Sequence, residues 1–297
     1  AGLLRPEAES RRVDLRFEMG ASNARSLPPV PAEWLSQDEA GVQAGLRLTY
    51  YDGLEPQGQP VHEATASAAE QMWMGQVAPG VNPRAFSARL AGWLRVPRSA
   101  RYSVGLVSSG GARLFVDGRL VVDRWQGATE AETAVPYDLQ AGRAYAVHVE
   151  YTRRGAGPMA HLRLGATLPL ADDALQRAAD CAAQSDVALV FVGLSDEWDS
   201  EGQDRPDMEL VGEQNALVSA VAAANPRTVV VLQTGSVVHI PWLPQVAAVL
   251  QAWYPGQECG DSIADVLLGR VNPAGRLPTT WPRRLQDTPA YINYPGE

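Results

Sequence analysis

The hydrophobic period of this chain changes near residue 168, and that switch constrains the fold more than any motif does. From Gly45 to Ala166 the apolar residues come in short alternating runs bounded by turn residues. Phe86, Ala88, Leu90, Gly92 and Leu94 share one face of an extended segment, as do Tyr102, Val104 and Leu106, and then Tyr145, Val147, Val149 and Tyr151. Asp117-Gly118 sits between two such runs, and that pair supplies the left-handed backbone a tight hairpin needs. A sustained period of two with no helical period predicts an antiparallel β-sandwich.

Beyond Leu168, helices and buried strands alternate. The spacing predicts helices over Ala174–Gln184, Glu213–Ala224 and Asp261–Leu268, the second ended by Asn225-Pro226 and the third by Gly269. Val187–Leu194, Thr228–Leu232 and Ala247–Trp253 read as strands, the first being a continuous apolar run of the kind buried on both faces of a parallel sheet. This order predicts βαβ units. Three strands make a small open sheet, so others are expected from Val13–Met19, which alternates, or from chain outside this segment. Leu27–Leu35 reads as a proline-stiffened connector. The expected fold class is α/β plus all-β: a parallel-sheet α/β sandwich, residues 1–43 and 168–297, interrupted by an antiparallel β-sandwich insert over residues 44–167.

Composition removes several function classes. A net charge of −9 disfavours nucleic acid and anionic membrane as partners, since both need a basic face. All 25 cationic residues are arginine, so this chain offers no Schiff-base or phosphate-loop lysine, and neither glycine-rich nucleotide motif occurs. A flavodoxin-like nucleotide binder, which the βαβ pattern allows, therefore ranks last. Cys181 and Cys259 match no disulfide framework or zinc spacing, and His62, His148, His161 and His239 show no metal spacing. No cofactor and no metal are expected. The start, AGLLRPEAESRR, has neither an initiator methionine nor a signal-peptide pattern, which suggests an excised or processed segment.

The chemistry points to the loop after Val187–Leu194. Asp196, Glu197, Asp199, Glu201, Asp204, Asp207, Glu209 and Glu213 crowd there with one cation, Arg205. Crowded carboxylates raise one another's proton affinity, and a carboxyl kept protonated near neutrality is what a general acid requires. Ligands of open α/β sheets also bind beyond the carboxyl ends of strands. The plainer reading is a solvated acidic surface loop.

GLSDEWDSEGQDRPDMEL, QTGSVVHIPWL and QAWYPGQECGDSIADVLLGRVNPAGRLPTTWP resemble the C-terminal α/β sandwich domain of glycoside hydrolase family 3, the β-glucosidase and β-xylosidase family. FSARLAGWLRVP and SSGGARLFVDGRLVVDRW resemble the anthrax protective-antigen-type sandwich inserted in some members. Together the resemblances run from about Pro28 to the end. They imply that Glu201, in S-E-G-Q-D-R, is the acid/base of a retaining glycosidase, that Gly202 lets the backbone pass close to the sugar, and that Arg205 pairs with Asp204 or Asp207. A retaining site needs two carboxyls about 5 to 5.5 Å apart. The resemblance places the nucleophilic aspartate in a (β/α)8 barrel that is not in this chain. Ser195-Asp196-Glu197-Trp198 echoes that barrel's signature but lies in the acid/base loop.

The expected activity is hydrolysis of terminal β-D-glucosyl residues, with Glu201 catalytic and Trp198, Asp204, Arg205 and Trp125 binding substrate. Trp73 or Trp125 would wall the aglycone side. Where calcium-binding relatives of the insert carry adjacent aspartates, this chain has Ser109-Gly110-Gly111, which argues against a calcium site. The implied partners are a β-glucoside or cello-oligosaccharide and the N-terminal barrel domain of the same enzyme, with a homodimer left open. The compartment is unspecified. The alternative from another class is a non-catalytic carbohydrate-binding module.

Overall fold

The structure is a computed structural model and describes residues 13–154, 157, 159–201 and 204–293. The chain divides into two compact units, Ser26–Pro169 and, around it in sequence, Ala1–Arg25 with Leu170–Glu297.

The Ser26–Pro169 unit is an antiparallel two-sheet sandwich. Its strands are β1 (Leu35–Ser36), β2 (Leu46–Asp52), β3 (His62–Ala66), β4 (Glu70–Met74), β5 (Phe86–Leu94), β6 (Ala100–Ser109), β7 (Gly111–Val116), β8 (Arg119–Arg124), β9 (Glu130–Leu139), β10 (Tyr145–Thr152) and β11 (Met159–Thr167). One sheet has the order β3-β2-β5-β10-β7-β8 with β1 also on β5, and the other β4-β11-β6-β9. The alternating residues of β5, β6 and β10 named above form the core, as their period requires. At the β7–β8 hairpin Asp117 and Gly118 both take positive φ, 49° and 75°.

The first domain boundary lies earlier than the sequence indicated. Residues 26–43 belong to this sandwich rather than to the α/β part. Leu35 pairs with Leu94, Pro29 bridges to Gly165, and Val30 and Leu35 are buried in the sandwich core. The prolines look like linker punctuation, but the apolar residues between them are anchors.

The second unit holds α1 (Ala174–Ala183), β12 (Ala188–Gly193), α2 (Gln214–Ala224), β13 (Thr228–Gln233), β14 (Ala248–Gln251) and α3 (Cys259–Leu267). The strands form a parallel sheet ordered β12-β13-β14. Val190, Val192, Val230 and Leu232 meet Leu217, Val218 and Val221 of α2 in its core. Asn225 ends α2 and donates from Nδ2 to the carbonyls of Ala182 and Ser185, tying off α1 as well. Val13–Met19 does not add a strand: it forms no ladder, and Val13, Leu15, Phe17 and Met19 are all exposed. Alternation is necessary for a half-buried strand, but an edge to pair with decides whether one forms.

Candidate active site

Each strand of the parallel sheet ends in a segment that reaches the same cleft, of about 360 Å³. Gly193 closes β12 and its backbone N–H and C=O are both bonded to the buried side-chain amide of Gln214, at 2.7 and 3.0 Å. That fixes where the acidic loop leaves the sheet. The loop then turns on Ser195, whose carbonyl accepts the N–H groups of Trp198 and Asp199. Trp198 donates its indole N–H to the carbonyl of Asn23, and the Arg25 guanidinium lies 5.2 Å from its ring centre.

Asp199 is bonded through both carboxylate oxygens. Its Oδ2 accepts the Gly235 N–H and the Tyr254 hydroxyl, both at 2.9 Å, and its Oδ1 accepts the Ser236 hydroxyl at 3.1 Å. Arg205 Nε lies 3.5 Å from Oδ1, with only 14% of each side chain exposed. Arg205 also donates to Ser236 and to the Val237 carbonyl, so it pairs with Asp199 where the sequence pointed to Asp204 or Asp207. Asp207 instead accepts the N–H of Glu209. Desolvation, and then the adjacent Asp199 carboxylate, push the Tyr254 hydroxyl up to about 12. Farther along the loop, Glu209 accepts from Asn215 and faces His239 Nδ1 at 2.8 Å.

Trp198, Asp204 and Arg205 line the cleft, so three of the residues singled out in the sequence converge. Glu201 follows the lining residue Ser200 in the chain and is exposed, without itself lining the cleft. Gly202 lies outside the described residues. Trp125 does not belong to this group. It is buried in the sandwich unit at 5% exposure, with its indole N–H on Glu55 and the Arg113 guanidinium 4.6 Å from its ring centre, which leaves little face for a sugar. Trp73 is likewise core, packed on Phe86 and Tyr151. Sequence reasoning missed Gly235, Ser236 and Tyr254 as lining residues. Their signal was position, since they sit just past the carboxyl ends of β13 and β14.

Among the described residues no group of three His, Cys, Asp or Glu side chains is arranged to hold a metal ion, and no helix is long and apolar enough to cross a membrane. One exposed carboxyl beside a polar cleft can move a proton; a covalent glycosyl step needs a second carboxyl across the sugar.

A parallel sheet whose loops build a polar cleft at its carboxyl edge, with a sandwich spliced into the sequence ahead of it, defines a class of α/β domain that works on ligands from one end. The profile described as the glycosyl hydrolase family 3 C-terminal domain matches residues 37–296, and the chain belongs to that family. It is 38% identical to a beta-glucosidase of Rhizobium radiobacter over 98% of its length, and 34% identical to beta-glucosidase B of Emericella nidulans over 96%. The crystal structure of a beta-glucosidase from Kluyveromyces marxianus in complex with glucose is similar over 97% of the chain, with a TM-score of 0.86 and 32% identity. The chain spans only 36% and 35% of the two curated relatives and 36% of that crystallised chain.

Proposed function

We propose that this chain is the acid/base-bearing part of a retaining β-glucosidase that removes terminal β-D-glucosyl residues. Glu201 protonates the leaving glycosidic oxygen and then deprotonates the water that releases the sugar from the enzyme. Trp198, Asp204 and Arg205 shape the cleft on its sugar side, and the attacking aspartate comes from a (β/α)8 barrel outside this chain. The observation that carries the reading is the placement of Glu201: it directly follows cleft-lining Ser200, in a loop held at the carboxyl ends of three parallel strands. The names of the relatives support β-glucoside rather than β-xyloside chemistry. The sandwich is read as an insert of protective-antigen type, its role as a sugar wall resting on surfaces other than Trp125 and Trp73.

The test is Glu201→Gln in the full-length protein that carries this chain. A carboxamide cannot donate an acidic proton, so kcat/KM for alkyl β-glucosides is expected to fall about 10³-fold. A dinitrophenyl β-glucoside, whose leaving group needs no proton, should lose less than about tenfold. An equal loss on both substrates would remove Glu201 from this role.

A further inference from the structure

Asp199 lies two residues before Glu201, and its bonding is far richer than an acid in a surface loop requires. One carboxylate gathers a backbone N–H and a hydroxyl from the segment after β13, a phenol from the segment after β14, and a guanidinium from its own loop. A loop fixed at that point cannot swing residue 201 freely.

Three further observations indicate that the arrangement is built for Asp199. Trp253, which aims Tyr254, holds φ at 55°, a strained value for a tryptophan. Gly235 has no room for a side chain: a Cβ there would stand 2.8 Å from the Tyr254 ring and 3.3 Å from Asp199 Oδ2. The Tyr254 hydroxyl, with its proton affinity raised by desolvation and by Asp199, stays a donor across the whole working range of pH. The same hydroxyl oxygen lies 3.3 Å from the Leu194 carbonyl, so its one proton, given to Asp199, is placed beside the root of the loop.

We propose that Asp199 is a positioning residue for Glu201, and that Tyr254, from the end of β14, holds Asp199 so that the acid/base carboxyl is presented at one fixed place beside the cleft. The proposal rests on the reading of Glu201 as proton donor. Neither Asp199 nor Tyr254 touches the transferred proton. Their contribution is the placement of the group that does, and an error of about 1 Å in such a group costs up to roughly 10²-fold in rate.

The experiment uses the full-length protein and compares wild type, Tyr254→Phe, Asp199→Asn, Glu201→Gln and the double variant Asp199→Asn/Glu201→Gln on aryl and alkyl β-glucosides with leaving groups of graded acidity. Tyr254→Phe is expected to lower kcat/KM about tenfold for alkyl glucosides and less than about threefold for the dinitrophenyl glucoside, with Asp199→Asn following the same slope more steeply. In the double variant, Asp199→Asn should add no further leaving-group dependence. A merely structural role would scale all substrates alike by reducing the folded fraction. That uniform loss, or no loss, in both single variants would overturn the proposal while Glu201→Gln keeps its slope. If Glu201→Gln itself shows no slope, the proposal falls with its premise. Tyr254→Phe removes one oxygen, so it remains informative should Asp199→Asn fail to fold.

Discussion

The two units place their main polar networks differently. In the sandwich, the largest aromatic side chains carry their polar atoms into the interior with partners, although the buried Ser87 and Thr152 hydroxyls have none among the described residues. Trp73 packs against Phe86 and Tyr151 and donates to the Tyr50 hydroxyl at 2.9 Å, while the Tyr151 hydroxyl, pushed up to about 12 by burial, donates to the Ser109 carbonyl. On the small sheet His161 is wedged between Glu70 and Glu130, and Glu70 also binds Arg163. In the α/β unit the interior of the sheet is valine and leucine; Asn225 and Thr228 are buried and bonded at the amino end of β13, and the polar side chains that line the open cleft lie past the carboxyl ends of the strands. Burying a satisfied polar network specifies one packing; keeping it at an open end leaves it free to meet a ligand. The first unit is arranged for rigidity and the second for access.

That contrast can be broken or sharpened by substitutions. The largest expected effect is Trp73→Ala, which empties the aromatic nest; denaturant unfolding of the sandwich should report a loss of about 4 kcal/mol. Next is Glu70→Gln, which strips Arg163 and His161 of their shared carboxylate and should cost about 2 kcal/mol at neutral pH. Burial alone would raise the Glu70 carboxyl, but Arg163 and His161 outweigh it and hold the carboxyl below its ordinary value. A carboxylate lowered by folding stabilises the native state above its unfolded value, near 4.3, and loses that contribution as pH falls through the folded value. The gap between wild type and Glu70→Gln should therefore be constant near neutrality and close in acid, as thermal melts across pH would show. The smallest effect is expected from Phe191→Thr on the edge strand β12, where the ring is 43% exposed; a stability change within about 0.5 kcal/mol is expected, and a larger one would mean the α/β unit is packed as tightly as the sandwich.

The sequence made the α/β unit easier to read than the sandwich. Its helices carry their own stops, Asn225-Pro226 and Gly269, and its strands are apolar runs too short for helices, so observed and expected bounds differ by at most two residues. In the sandwich, the Asp117-Gly118 hairpin and the alternating strands were legible because period and turn chemistry are local. The strand β9 was not, since its residues from Glu130 to Pro136 are exposed or half-buried and carry little apolar signal. The short β1, hidden among prolines, likewise gave nothing local to read. At the site, Trp198, Asp204 and Arg205 could be picked out from one stretch. The bond from Tyr254 to Asp199 could not, because it joins residues 55 apart and depends on which strand ends lie side by side.

The ends of the sandwich unit meet. Pro29 bridges to Gly165, the Val30 N–H bonds to the Leu164 carbonyl at 3.0 Å, and Leu27 packs where any side chain at Gly165 would have to go. A body whose entry and exit are zipped together can be cut out of its host and replaced by a few residues of linker without stretching the chain on either side. Protein engineers could treat it as a detachable cassette, to be swapped, deleted or moved while the flanking halves of the host remain within reach of each other.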